Sequence, residues 1–326
     1  MSNEICLCPL RFQLFGRFQM SGPHTPDPAH RPPRRMLEVL CFLLLVAPKA
    51  HHREQLADLL WGESDSLNAR KHLRQAVWHL QTELTTLAGP EAGTLLRIDS
   101  EWLQVDADAR WWTDARELRE AHERVRNRCG ADLDAADVAA TRKAVELYRG
   151  ELLEGWYQDW CIHERERYRA MRLALLEKLL SHAEHAHSWD EACTYAETIL
   201  EEDRAHERTH LRLMRIHVAR GDRTGAIRQY AACRDALQQE FAVEPGPDVV
   251  AVYEQAREGH SLRIADIIST DDADEWWWDW RLGNGPGHRP ELVVPKTLDT
   301  DELTELYASL RQTAALIARH LGSPST

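Results

Sequence analysis

A chain of 326 residues with 40 Lys+Arg against 53 Asp+Glu carries a formal charge of −13. That balance excludes a protein coated in positive charge for nucleic acid, and the length suggests about two domains. The charge is uneven: residues 1–105 hold 11 basic and 11 acidic side chains, residues 106–258 hold 23 and 31, and residues 259–326 hold 6 and 11. Any grip on DNA must therefore rest on a local patch in the neutral first third.

In chain order, Leu10 to Met20 alternates. Leu10, Phe12, Leu14, Phe18 and Met20 face one way, and Arg11, Gln13, Arg17 and Gln19 the other. Period two predicts a half-buried strand pair bent at Gly16. A proline-rich loop follows to Arg35. Met36–Ala47 is apolar nearly all round, which predicts a helix buried at the centre of a small domain, ended by Pro48. A second helix over His52–Trp61 offers Leu56, Leu59 and Leu60 as its core stripe, with Gly62 at its end.

The third predicted helix, roughly Ser64–Leu84, repeats apolar side chains at three and four: Ala69, Leu73, Ala76, Val77, Leu80 and Leu84. Arg70, Arg74 and Trp78 fall on another face, with Lys71 and Gln75 beside them. Arg and Lys can contact phosphates or guanine edges, Gln can pair with adenine, and Trp can pack on a sugar or thymine methyl. Two short strands, Leu95–Ile98 and Trp102–Val105, flank a turn at Asp99-Ser100-Glu101. Strands, three helices and a hairpin in this order predict a winged helix whose third helix enters the major groove. Arg97 is the cation nearest the hairpin tip, and two carboxylates flank that tip, which disfavours minor-groove contact. A solvated polar face is the competing reading of the third helix.

From Asp106 to Val125 the chain reads as a helix joining two halves, and Asp132–Leu147 as another, with Asp134 and Asp137 favourably near its start. Helical hairpins follow at about 160–187, 189–202, 205–220, 222–240 and 246–258. Trp189-Asp190-Glu191-Ala192 corresponds in position to Arg223-Thr224-Gly225-Ala226, and a period of about 34 residues is the tetratricopeptide spacing. Such repeats leave a concave face for a partner, or serve as a spacer.

His206-Glu207-Arg208-Thr209-His210 matches H-E-x-x-H, the zinc-protease pattern. Here it opens a repeat helix after Glu201-Glu202-Asp203-Arg204, where Glu207 suits the helix N-terminus, so it is read as structural. His182, His185 and His187 read as surface residues at a helix end. No phosphate loop and no nucleophile elbow occurs, and no pattern calls for a cofactor or metal; the chain is read as a non-enzyme. The seven cysteines show no paired spacing and read as reduced thiols, with Cys6 and Cys8 too close for half a zinc site. No signal peptide is visible, and the most apolar segment falls short of the ~20 residues that span a bilayer. Those features predict a cytoplasmic protein without membrane contact. Residues 271–280 form an acidic run ending in four tryptophans, read as a docking segment or as a loop packed back on the repeats. A last amphipathic helix begins near Thr300.

Leu56-Ala57-Asp58-Leu59-Leu60-Trp61, Ala69-Arg70 and Leu73-Arg74-Gln75-Ala76-Val77 resemble the winged-helix half of the SARP/AfsR-type transcriptional activators. Tyr148-Arg149-Gly150-Glu151-Leu152-Leu153, Asp159-Trp160 and Glu164-Arg165 resemble their bacterial transcriptional activator domain. So do Glu207, His210, Leu213-Met214, Gly221-Asp222-Arg223, Ala226, Tyr230, Cys233, Leu237, Glu240 and Pro245. The resemblance covers about residues 10–258. It implies a cytoplasmic regulator that binds promoter DNA, often as a homodimer, and contacts RNA polymerase. Carried onto this chain, it implies DNA contacts at Arg70, Lys71, Arg74, Gln75 and Trp78, with backbone support at Arg53. Arg97 joins the backbone contacts from its place in the wing. The chain departs from the family at His79, Gln81 and Glu83, which stand where basic residues are usual, and at the acidic wing tip. Its Ser21–Arg35 loop is long, and no large ATPase region follows, as in the short members.

The expected architecture is mainly α. Residues 1–105 form a winged helix with a small sheet and a wing hairpin, residues 106–258 a TPR-like activator domain, and residues 259–326 a Trp-rich acidic linker and helix. The expected function is a DNA-binding regulator, with activator favoured over repressor by the resemblance alone. The alternative is a protein-interaction module of the same fold without independent DNA binding.

Overall fold

The computed structural model describes residues 10–24, 32–46, 49–62, 65–88, 95–106 and 109–259. The chain begins with β1 (Leu10–Gln13), β2 (Gln19–Ser21), α1 (Arg34–Val46), β3 (His51–His52), α2 (Arg53–Trp61), α3 (Ser66–Ala88), β4 (Leu96–Ile98), β5 (Trp102–Val105) and β6 (Trp111–Thr113). Helices follow: α4 (Asp114–Val125), a 3₁₀ turn (Gly130–Asp132), α5 (Ala135–Leu147), α6 (Asp159–His185), α7 (Trp189–Glu202), α8 (Glu207–Ala219), α9 (Arg223–Phe241) and α10 (Pro247–Glu258). The fold is mainly helical: a winged helix with two small sheets, then stacked helical hairpins. The Trp-rich run and the helix expected from Thr300 lie outside the described residues.

Alternation holds in β1, where Leu10 and Phe12 are buried and Arg11 and Gln13 exposed. β1 pairs antiparallel with β2, Phe12 opposite Met20, and parallel with β6, Leu10 opposite Trp111. β6 corrects the expectation of a helix from Asp106. The helix starts at Asp114, and Thr113 caps it by accepting from the Arg116 amide at 2.9 Å. A three-residue strand is too short to show a period, and its partner lies far upstream. The second sheet has the order β3-β5-β4, so the wing gains a strand beyond the two expected.

In α2 the buried set is Leu56, Ala57, Leu60 and Trp61, while Leu59 is 50% exposed. The spacings i, i+1, i+4 and i+5 also fall on one face, and Trp61 has more surface to bury than Leu59. α1 is apolar all round because it serves two cores rather than the centre of one. Met36, Val39, Leu40, Leu43 and Leu44 pack with Leu73 and Leu80 of α3. Cys41 and Leu45 pack instead with Leu118, Tyr168 and Leu175 of the helical half.

The two halves are also joined through backbone. The Gly16 amide donates to Glu151 O at 2.8 Å, Leu153 to Leu14 O at 2.8 Å, and Glu154 to Gly16 O at 3.0 Å. Gly16 has φ +78°, a turn conformation that favours glycine. Buried Glu38 of α1 accepts from Arg35 at 2.8 Å and from Gln158 of the helical half at 2.7 Å.

In the helical half, α7 and α9 begin 34 residues apart, and Ala192 and Ala226 are both 0% exposed. The H-E-x-x-H side chains serve this scaffold. His210 Nε2 bonds Arg204 O at 2.9 Å, and its Nδ1 meets Gln229 at 2.6 Å. Burial lowers the His210 pKa, favouring the neutral ring. Glu207 accepts from the Gly246 amide, and His206 bonds Thr209 at 2.7 Å. Gly130 touches α6 so closely that an added Cβ would lie 2.5 Å from Ser181 Cβ and 2.8 Å from Lys178 O. Gly130→Ala is therefore expected to cost about 1–3 kcal/mol, seen as a lowered urea midpoint.

Candidate nucleic-acid interface

α3 is anchored by Ala69, Leu73, Ala76, Val77, Leu80, Leu84 and Leu87, each at most 5% exposed. With that stripe fixed against the core, the opposite face has to meet solvent. Arg70, Lys71, Arg74 and Gln75 are exposed there, and Trp78 is 61% exposed. Five polar or aromatic groups thus share the outward side of one helix. Among the described residues, Lys71 and Arg74 have no ion-pair partner.

The cations around them are differently placed. Arg70 Nη2 lies 2.7 Å from Glu54 Oε1, an ion pair that ties α3 to the first turn of α2. Arg53 is half-buried and reaches the wing: its Nη1 donates to Asp99 O at 3.0 Å and its amide to Glu101 O at 2.8 Å. Arg97 Nε donates to Asp106 Oδ2 at 3.0 Å. The two residues expected to support the DNA backbone therefore also hold the wing together.

Asp99 at the wing tip is a turn former. Its Oδ1 accepts from the amides of Trp102 at 2.6 Å and Glu101 at 2.9 Å. Those two bonds hold its carboxyl below the usual range. Trp102 stands 44% exposed on β5, edge-on to His52 at 5.3 Å.

Sequence reasoning passed over Leu67. It is 71% exposed in the first turn of α3, and Lys71, Arg74 and Trp78 follow at four, seven and eleven residues, on one helical face. The signal was available: an apolar residue that falls off the buried stripe. The N-terminal part of a recognition helix is the part that meets base edges, and an apolar side chain there suits a thymine methyl.

Residues 113–257 match the bacterial transcriptional activator domain. Among solved structures, Mycobacterium tuberculosis EmbR in complex with a low-affinity phosphopeptide is similar, with a TM-score of 0.62 and 19% identity over 81% of this chain and 69% of that one. No curated protein matches the chain. The helical half thus carries a bacterial transcriptional activator domain, and a winged helix precedes it. At 19% identity the likeness to EmbR is one of fold.

Proposed function

We propose that the chain binds double-stranded promoter DNA with α3 in the major groove and acts in the cytoplasm as an activator. The observation that carries the reading is the single outward face of α3, where Leu67, Lys71, Arg74, Gln75 and Trp78 stand exposed beside a wing. In this reading Arg70, Arg53 and Arg97 meet the phosphate backbone, and the helical repeats serve a homodimer and contact with RNA polymerase. No described helix is long and apolar enough to cross a membrane, in keeping with a partner that is DNA. The scaffold contacts of His206, Glu207 and His210 support a non-catalytic role.

A gel-shift titration against promoter-length duplex DNA of mixed sequence, at low and moderate salt, tests the proposal. Arg74→Ala is expected to weaken binding about tenfold and flatten the salt dependence by about one unit of slope. Its circular dichroism should match wild type, because Arg74 is exposed. Unaltered affinity would remove Arg74 from the interface. The ion pairs of Arg70 and Arg97 favour a second reading, a protein-interaction module that does not bind DNA alone. Absence of any shift at low salt would select it.

A further inference from the structure

The structure assigns Glu54 a role of its own: we propose that its carboxylate competes with the DNA backbone for Arg70, so that binding proceeds by exchange of one anion for another. This rests on the DNA-binding reading of α3 and deepens it.

Three observations carry the inference. Arg70 and Glu54 are joined at 2.7 Å, and each side chain is 51% exposed. An ion pair half in water is weak and salt-screened, so an incoming phosphate can replace the carboxylate without leaving a charge stranded in a dry interior. Glu54 also belongs to a different element from Arg70, the first turn of α2 against the outward side of α3. It therefore brings negative charge to the same surface as Lys71 and Arg74. Finally, the chain shows no compensating excess of cations, with 11 basic and 11 acidic side chains in residues 1–105. In such a unit one carboxylate on the binding face changes the local field appreciably.

The consequence is that the free protein screens one of its own contacts. Removing the charge of Glu54 while keeping its shape releases Arg70 to phosphate and adds one uncompensated cation to the counterion balance of binding. Glu54→Gln retains an acceptor for the Arg70 guanidinium, so any purely orienting function is preserved in that variant. Asp58 supplies the control. It is an exposed acid one turn further along α2, and no ion pair holds it among the described residues.

The experiment uses the full chain and a fluorescent mixed-sequence duplex of about three helical turns, titrated across a salt series. Glu54→Gln is expected to bind about two- to fivefold more tightly than wild type at low salt. Its plot of log affinity against log salt should be steeper by up to about one unit. Asp58→Asn, which changes net charge equally, should show a smaller gain and little change in slope. Glu54→Gln binding no more tightly than wild type, or no more tightly than Asp58→Asn, overturns the inference. Arg74→Ala, run in parallel, separates the two readings. If Arg74→Ala loses affinity while Glu54→Gln gains none, the Glu54 inference alone fails. If neither substitution changes anything, the DNA-binding reading falls as well.

Discussion

Arg212→Ala is expected to destabilise the chain by about 3–5 kcal/mol, because it strands a carboxylate inside a helical core. Glu184 of α6 and Arg212 of α8 have side chains 2% and 7% exposed. Their pairing is bidentate, Nε to Oε1 at 2.9 Å and Nη2 to Oε2 at 2.5 Å. Leu176, Leu180, Leu213 and Ile216 form the surrounding core. Mutual attraction offsets the loss of hydration only while both ions are present. Glu184→Ala should therefore be about as damaging as Arg212→Ala. A double replacement, Glu184→Leu with Arg212→Met, should recover most of the loss. Denaturant melts followed by circular dichroism, arranged as a double-mutant cycle, measure this. A double variant as unstable as the sum of its singles would show that the pair is not coupled.

What the sequence announced of this fold follows from the range of the interactions concerned. The stripe of α3 and the starts of α7 and α9 are local periodicities, so Leu73, Leu80, Ala192 and Ala226 are legible without any partner. Leu59 was misplaced because two neighbouring faces of a nine-residue helix are almost equally apolar, and only the packed core chooses between them. β6 was invisible because Trp111–Thr113 owes its extended form to β1.

The interface divides in the same way. The exposure of Lys71, Arg74, Gln75 and Trp78 follows from the α3 stripe. The pairing of Arg70 with Glu54, of Arg53 with the wing turn and of Arg97 with Asp106 joins separate segments, and no spacing rule encodes it. Asp99 illustrates the limit. Charge alone marks it as repulsive to DNA, whereas its place in the turn makes it a structural acceptor for two amides.

The orientation of the winged helix on the activator domain depends on one further carboxylate, and Asp114 is where the second large effect is expected. It is 3% exposed and accepts from the amides of Leu14 at 2.9 Å, Phe15 at 3.0 Å and Ala115 at 2.8 Å, clamping the end of β1 to the start of α4. Asp114→Ala leaves the Leu14 and Phe15 amides without that acceptor and should cost about 2–4 kcal/mol. Burial pushes the Asp114 carboxyl up to about 6, against the opposing pull of the Phe15, Leu14 and Ala115 amides. The unfolded value lies near 3.9, so the folded chain binds this proton more tightly than the unfolded one. Its contribution to stability is fully present below about pH 4 and is lost as pH rises through about 6. Asp114→Asn keeps an acceptor but does not titrate. Wild type should therefore lose about 1–1.5 kcal/mol relative to Asp114→Asn between about pH 5 and about pH 8, about half of the full effect, since part of the contribution is already gone by pH 5. Urea melts of both proteins at about pH 5 and about pH 8 measure the difference, within the window that the raised pKa defines. A difference that stays constant across the two conditions would mean that the Asp114 carboxyl titrates near its ordinary value, and that the junction between the halves holds its charge at no cost.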